Sequence, residues 1–482
     1  MIRSPFLPAV VASAAFWIAG CGYDSGHPSS GGSTLTGNTT VTLLASSTAN
    51  DQLSQFSMQL AELTLTSQSG KTVTVLNQPV TPEFIHLNGG IEPLTSTSIP
   101  QDVYNSATLT LGEAQFTCIA QQSGGGLQTS EFAYGTVPVS AITVKLPQPI
   151  TVTGSGMGLT LNLQVSQSAS FSNCLGGAGT TFAITPTFEL TPMTLAAQPT
   201  GTANGLAPGL EGIVTGIDPA AGTFQVESAE GTPSSGLTWT VKAGSGTTYH
   251  GIGSFSALQT GMPVDMDVAV QEDGSLAATR LAVYDTSSTN LTVSRGPVDF
   301  VDDAGPILYS DDMLGQGYLT LGGTQPFSYG DAAFQTSDQL TNLASLPFAA
   351  SFTGAALVPG QNLYMTMHAT AFGAYPTYTP ASTMVLMPQT INGTVVSVAT
   401  QGQFQVYTVA LAPYDLFSAL AVQAGQSTGV SNPNVVYVYA DNNTERVSAG
   451  AAGSVLRFHG VVFNDGGTLR MDCLRINAGV AE

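Results

Sequence analysis

Hydrophobic and polar residues alternate through most of the chain after residue 40, and long helical periodicities are missing. Clear examples are FSMQLAELTL at 56–65, KTVTVL at 71–76 and LTLNLQV at 159–165. Alternation at period two predicts half-buried β-strands, and the Gly, Asn, Asp and Pro residues between the runs predict turns. The sequence therefore predicts an all-β protein.

Residues 99–111 read IPQDVYNSATLTL, a polar turn followed by a strand that begins at Tyr104. The run is similar to the LPxGxYxx(I/L)xL motif of a bacterial domain-of-unknown-function family (number 4382), with Asp102 in place of the family's glycine. The likeness continues through later strand-like runs and covers about 150 residues with weak motifs. It implies a β-sandwich over residues 41–195, with the Tyr104 ring plugging one end, and it brings no known activity.

The C-terminal half contains an internal repeat. LEGIVTGIDPAAGTFQV at 210–226 returns as INGTVVSVATQGQFQV at 391–406, and a divergent copy begins with SRGPVDFVD at 294–302. Asp-Gly pairs at 273–274 and 465–466 supply the positive φ angles that tight hairpin turns need. Each copy is therefore predicted to contain β-hairpins.

The repeat unit resembles a second bacterial domain-of-unknown-function family (number 5666), in which GxV, GxFxV, LxxGxxV and DGxLxA motifs follow one another. The first copy matches well, and the other two carry insertions and match in part. The resemblance implies small OB-like β-barrels. We expect three, at 209–287, 288–388 (the divergent copy) and 389–482, after a Pro/Gly/Ala/Thr-rich linker at 196–208. They would form a row of modules, because units of this size can each have a core.

The N-terminus has the features of a lipoprotein leader. A basic Arg3 precedes an apolar segment too short to span a bilayer, and the segment ends in IAGC at 18–21. This resembles the bacterial lipobox, which implies a signal peptide at 1–20 and lipidation of Cys21 by diacylglycerol and an acyl chain such as palmitate. The alternative is an ordinary secreted protein with a chance cysteine. Gly22 after the cysteine favours the outer membrane or cell surface, and a Gly/Ser-rich stretch makes 21–40 a flexible tether.

Composition agrees with an envelope protein and excludes nucleic-acid binding. The chain is 43% hydrophobic but only 9% charged, with 10 Lys and Arg against 31 Asp and Glu, a net charge of −21. Such a field repels nucleic acid. No second apolar run reaches membrane-spanning length, so the mature chain is predicted to have no transmembrane helix and to be held in the membrane by its lipid.

The remaining cysteines point to one disulfide and one free thiol. Cys118 and Cys174 both lie in the first folded region, in an export context that permits disulfides, and we expect them to be bridged. Cys473 lies in the strand-like run TLRMDCL and is predicted to be a buried free thiol. The cysteines are far apart with no CxxC pattern, so no metal or cofactor site is predicted.

No catalytic constellation stands out. Asp265 and Asp267 share one strand face at i and i+2, and a solvated face is the preferred interpretation. His86 and His368 lie in apolar runs, where hydrogen-bonded structural histidines are expected. The densest acids, a weak calcium candidate, are Asp302, Asp303, Asp311 and Asp312.

The aromatic residues suggest one candidate binding surface. Most rings in small barrels fill the interior, but the Pro-bounded loop that carries Phe372, Tyr375 and Tyr378 is the best candidate for exposed ligand contacts. The first hypothesis is a non-enzymatic, lipid-anchored envelope protein that presents a binding or scaffold surface to an envelope protein. The alternative is a surface glycan-binding module or part of a polysaccharide-handling system. A periplasmic enzyme with a site between domains is a third.

Overall fold

The computed structural model describes residues 35–48, 53–118, 131–137, 140–168, 181–228, 237–289, 291–309, 312–314, 324–340, 342–368, 377–412, 415–423 and 429–479. Strand makes up 59% of the structure and helix 6%, so the all-β prediction is confirmed. None of the helices in these ranges has both the length and the apolarity that crossing a membrane requires.

The N-terminal part is a sandwich of two sheets whose inner faces share one core. One sheet has the order β11–β9–β1–β4, and the other has the order β10–β6–β5–β2–β3, with β7 and β8 also paired to β5. Leu43, Phe56 and Leu161 are fully buried between them. Tyr104 is also buried, and its hydroxyl donates to the Pro100 carbonyl at 2.8 Å. The elements are β1 Asn38–Thr48, β2 Leu53–Ser67, β3 Thr72–Leu76, β4 Glu92–Pro100, β5 Asp102–Cys118, β6 Glu131–Thr136, β7 Ala141–Val144, β8 Ile150–Val152, β9 Gly156–Gln164, the short helix α1 Val165–Ser168, β10 Thr181–Ala183 and β11 Phe188–Met193.

The second unit, barrel 1, is a closed five-stranded barrel with the circular order β12–β13–β14–β16–β15. Only β14 and β16 run parallel. The first strand begins at Leu206, inside the stretch predicted to be a linker, and a 3₁₀ turn, Thr202–Asn204, precedes it. The strands are β12 Leu206–Asp218, β13 Thr223–Ser228, β14 Thr238–His250, β15 Pro263–Val270 and β16 Leu276–Ala282.

The third unit, barrel 2, repeats this order with two interrupted strands. β17 pairs with β18 and β22, β18 pairs with β20, and β22 pairs with β24. β20 and β21 run parallel to β23 and β24, respectively, which gives one sheet with the order β21–β24–β22–β17–β18–β20–β23 and with β19 beside β17. The strands are β17 Thr292–Val301, β18 Pro306–Tyr309, β19 Asp312–Leu314, β20 Thr324–Ser328, β21 Ala333–Thr336, β22 Asn362–Met367, β23 Thr379–Pro380 and β24 Thr383–Leu386.

The fourth unit, barrel 3, has the order β27–β26–β25–β29–β30, and a parallel β27–β30 pairing joins the ends. The short strand β28 lies beside β30. Its elements are β25 Gln389–Gln401, β26 Phe404–Leu411, α2 Leu416–Gln423, β27 Val435–Ala440, β28 Glu445–Arg446, β29 Val455–Asp465 and β30 Thr468–Ala478.

The three barrels share one backbone contact at equivalent positions, which supports their origin as repeats. A glycine with φ near +90° precedes the fourth strand of each barrel. Its amide donates to a valine carbonyl on the first strand, which is bulged just after that valine. The pairs are Gly261 to Val214 at 2.7 Å, Gly360 to Val298 at 2.7 Å, and Gly453 to Val395 at 2.8 Å.

Neighbouring units pack through apolar surfaces. The sandwich and barrel 1 share a continuous core, and the Trp239 indole donates to the Pro93 carbonyl at 2.9 Å. Val461 and Phe463 on the outside of barrel 3 belong to the core of barrel 2. Barrel 3 also returns to the sandwich, where Arg457 Nη1 donates to Asn88 Oδ1 at 2.7 Å. All four units therefore surround a common junction.

Candidate functional site

The best-defined polar cluster lies where barrel 2 covers barrel 1. Arg280 on β16 donates to Asp265 at 2.6 Å and to Asp267 at 2.9 Å. Its other terminal nitrogen donates to Asp338 of barrel 2 at 2.7 Å. The Asp265 side chain is fully buried and that of Arg280 is 9% exposed. The prediction of a solvated face at Asp265 and Asp267 is therefore wrong, because the segment that carries Asp338 lies over it.

The electrostatics of this cluster hold its carboxylates in a structural role. Burial raises the pKa of Asp265, and the adjacent Arg280 opposes that rise. Burial would lower the pKa of Arg280, but Asp265 and Asp267 raise it well above its usual range. The Tyr284 hydroxyl lies 3.0 Å from Asp265 and 2.9 Å from Asp338. Both predicted acids are thus bonded to a guanidinium that joins two barrels.

A second ion pair joins the same two barrels closer to the common junction. Arg295 on β17 donates to Glu211 on β12 at 2.5 Å. Beside it, the rings of Tyr284 and Tyr364 meet edge to face with centroids 5.5 Å apart. Burial, followed by the charge on Glu211, raises the pKa of Tyr364 well above its usual range. The contact between barrels 1 and 2 therefore combines buried charges with an edge-to-face pair of aromatic rings.

A cavity near this contact, the junction cavity, lies between the sandwich, barrel 2 and barrel 3. It has a volume of about 130 Å³, comparable to cavities that hold a small organic molecule. Its lining includes His86 and Asn88 of the sandwich, Arg295 and Asn362 of barrel 2, and Thr390 and His459 of barrel 3.

His86 is held between two acids at the sandwich side of the junction cavity. Its Nδ1 lies 2.8 Å from Glu83, and its Nε2 lies 3.2 Å from Glu92. Glu83 also accepts backbone amides from Phe56, Ile85 and His86 at 2.6–2.9 Å. This carboxylate therefore fixes the loop that carries the histidine, and the expectation of a hydrogen-bonded structural histidine at position 86 is confirmed.

His459 forms the opposite wall of the cavity. Its Nδ1 lies 3.1 Å from the Thr390 hydroxyl. Burial, together with the charges on Arg475 and Arg295, lowers its pKa well below the usual range. The ring is therefore neutral at neutral pH, and the cavity offers hydrogen bonds from one neutral imidazole and one held between carboxylates.

A separate polar row crosses the outside of barrel 3. Ser397, Thr408, Tyr437 and Arg470 are register neighbours on four adjacent strands. The Tyr437 side chain is 37% exposed, and the Arg470 guanidinium lies 5.8 Å from its ring centre. Ser397 donates to Thr408 at 3.0 Å. The row therefore presents an aromatic ring flanked by hydroxyl and guanidinium groups.

Several predicted site residues lie outside the described part of the chain: Cys21, Cys174, Asp311, Phe372 and Tyr375. Cys118 ends β5, and no disulfide occurs among the described residues, so its bridge to Cys174 stays a prediction. Tyr378 is half-buried and donates its hydroxyl to Asp302. Cys473 is a buried free thiol, as predicted.

Asp302, predicted as part of a weak calcium candidate, and His368, predicted as a hydrogen-bonded structural histidine, both make local hydrogen bonds. Asp302 Oδ1 accepts the amides of Ala304 and Gly305 in a turn. His368 is exposed, with its Nε2 3.2 Å from the Ser287 hydroxyl. Among the described residues, no group of three or more His, Cys, Asp or Glu side chains could hold a metal ion.

Sequence reasoning missed the residues that build the junction. None of its site predictions included Arg280, Arg295, Arg475, His459 or Tyr437. One signal was available, since arginines are scarce in this chain and several interrupt apolar strand runs, as in LRFHG at 456–460 and CLRI at 473–476. An arginine in such a run is expected to face a partner.

Comparison with known proteins finds no similarity: no family model matches the chain, and no curated protein or solved structure matches it.

Proposed function

We propose that this chain is a bacterial cell-envelope protein, attached by a lipid on Cys21, that presents a rigid four-unit body as a binding or scaffold surface and carries out no catalysis. The observation that carries this proposal is that the buried arginines connect different units of the body. Arg280, Arg295 and Arg457 each join two different units through a buried or nearly buried contact. The acids that could have formed a catalytic pair are bonded to one of them.

A body of this kind suits a scaffold. Buried ion pairs are sensitive to geometry, because a separated partner leaves an uncompensated charge. The contacts therefore favour one fixed arrangement of the four units. Exposed large apolar side chains among the described residues are confined to Val396, Tyr437 and Val447, all in barrel 3, so partner contacts are expected there.

The anchoring part of the proposal is tested by metabolic labelling with an alkyne fatty acid in a bacterium that has a lipoprotein maturation pathway. The wild-type chain should take up the label and sediment with membranes, whereas Cys21→Ser should do neither. Cys473→Ser is the matched control and should retain both. Label retained in Cys21→Ser would contradict the proposal.

Glycan binding is the second candidate, and the row around Tyr437 favours it. An exposed ring can stack on the apolar face of a sugar, and neighbouring hydroxyls and a guanidinium can bond its hydroxyl groups. Affinity electrophoresis in gels that contain envelope polysaccharides tests this. Tyr437→Ala should abolish any retardation, and Val447→Ala, another exposed position on the same barrel, should leave it unchanged. Equal retardation of all three proteins would exclude this surface.

A further inference from the structure

Arg475 differs from Arg280 and Arg295 in having no acidic partner within the described part of the chain. Its side chain lies on β30 and is 4% exposed. Among the described residues, its guanidinium makes one hydrogen bond, from Nη2 to the Asn88 carbonyl at 3.3 Å, and its buried Nε has no partner. Within the described part of the chain, no carboxylate oxygen lies within 4.0 Å of the guanidinium.

The acid on the paired strand is already committed elsewhere. Glu445 is the register neighbour of Arg475 across β28 and β30. Its Oε1 accepts the amide and hydroxyl of Thr202, at 2.9 and 3.2 Å. Burial lowers the pKa of Arg475, and the charge on Glu445 only partly offsets that decrease. Arginine nevertheless stays protonated in proteins, so this is a buried positive charge.

A buried charge without a counter-charge is strongly unfavourable, by several kcal/mol in typical proteins. The same chain avoids this cost elsewhere, since Arg280 contacts three carboxylates and Arg295 contacts Glu211. Arg475 therefore differs from these two arginines, because it is buried without a counter-charge among the described residues. A counter-charge that is not part of the chain would remove the discrepancy.

A small cavity exists beside the guanidinium. Besides apolar and glycine residues, the inner cavity is lined by His86, Glu211, Arg295, Gln339, His459 and Arg475. Its volume is about 40 Å³, which is room for about three water molecules. This excludes a bulky organic ligand but admits a monatomic anion with one or two waters.

The electrostatic potential in the inner cavity is positive beside His459. His459 lines it, and both Arg475 and Arg295 contribute to the low pKa of that imidazole. Glu211, the acid in the lining, is bonded to Arg295. Glu83 and Glu92 lie against His86, so Arg475 is the charged lining residue without a paired carboxylate among the described residues.

We propose that the inner cavity is a binding site for a small monovalent inorganic anion of chloride size, with the Arg475 guanidinium as its principal ligand. The anion supplies the missing counter-charge where barrel 3 meets the sandwich and barrel 1. It thereby stabilises the assembled body and not any single unit.

The test measures the thermal unfolding midpoint of the whole protein in sodium chloride and in sodium gluconate at matched sodium concentration. Gluconate is too large for the cavity. A ligand that binds the native state raises the midpoint by mass action, so the wild-type midpoint should rise with each tenfold increase in chloride above the dissociation constant. Arg475→Met should lose that dependence and, in gluconate, should unfold at or above the wild-type temperature, because an uncompensated charge has been removed.

Arg446→Met is the matched control, since Arg446 is an exposed arginine on the adjacent strand β28. It should keep the chloride dependence. A wild-type midpoint that is equal in both salts, or an Arg475→Met variant with the wild-type dependence, would overturn the proposal. If Arg475→Met does not fold, crystals of the wild-type protein grown in bromide decide: an anomalous peak beside the guanidinium supports the site, and a cavity that contains only water refutes it.

Discussion

Replacing Arg280 by methionine should destabilise the protein severely. The substitution keeps the apolar stem but removes the guanidinium that Asp265, Asp267 and Asp338 contact at 2.6–2.9 Å. With the side chain of Asp265 fully buried, its negative charge would be left without its main partner. Removing one member of a buried ion pair typically costs about 3–5 kcal/mol, and we expect a loss of free energy of unfolding in that range at pH 7.

The pH dependence of this loss has a definite sign. Burial already raises the pKa of Asp265 in the folded protein, and Arg280 opposes the rise. Without Arg280 the folded-state pKa rises further above the unfolded value. An acid shifted this way is destabilising when ionised and harmless when protonated. The penalty of Arg280→Met should therefore shrink as the pH falls towards the unfolded-state value near 4.

The assay is urea denaturation followed by fluorescence, at pH 7 and at pH 4.5, for four proteins. Arg280→Met/Asp265→Asn should recover part of the loss, since the stranded charge is gone. Lys145→Met is the control, because the Lys145–Glu189 pair is on the surface with the lysine 67% exposed, and such pairs contribute about 0–1 kcal/mol. If Arg280→Met and Lys145→Met have equal effects, the buried network contributes no more than a surface pair and the reasoning is refuted.

Three further predictions concern single positions. Burial and the charge on Asp441 raise the pKa of Asp472 to about 6 from a usual 3.8. The free energy of unfolding of Asp472→Asn should therefore equal that of the wild type near pH 3.5 and exceed it by up to about 3 kcal/mol at pH 8. Equal urea midpoints at pH 8 would contradict this. Gly453→Ala should lower the free energy of unfolding only by the strain of its positive φ, about 1–2 kcal/mol, because nothing lies within 4 Å of the added carbon. Gly261→Ala should destabilise the protein more, since its added carbon would lie 2.4 Å from the Thr289 carbonyl oxygen. Equal thermal midpoints for the two variants would contradict this. Burial raises the pKa of the Cys473 thiol, so it should resist iodoacetamide in the native protein and react in urea, and rapid native labelling detected by mass spectrometry would show that the thiol is accessible.

The local elements were predictable because each is encoded by neighbouring residues. The alternating run at 56–65 lies within β2, Leu53–Ser67. The Asp-Gly pairs place Gly274 and Gly466 at φ angles of 83° and 57°, as tight turns require. The repeat of Gly-x-Val segments reflects a shared bulge and a shared glycine contact in all three barrels.

The contacts between units were not predictable from the same pattern. Alternation distinguishes the two faces of a strand, but it does not say what covers the outer face. The outer face of β15 carries Asp265 and Asp267, which look solvated until barrel 2 covers them. Phe463 lies on the outside of its own barrel and in the core of the next one. The junction depends on pairings hundreds of residues apart, such as Asn88 with Arg457, which no local pattern specifies.

The most direct test of a single four-unit body is a double-mutant cycle between its first and last units, at Asn88 and Arg457. Asn88→Ala, Arg457→Met and the double variant are compared with the wild type by urea denaturation. The two residues are 369 positions apart in sequence, yet Arg457 Nη1 lies 2.7 Å from Asn88 Oδ1. A hydrogen bond to a charged group contributes about 1.5–3 kcal/mol, so a coupling energy of at least about 1 kcal/mol is expected. Additive effects, with a coupling energy near zero, would show that the sandwich and barrel 3 do not meet at this contact.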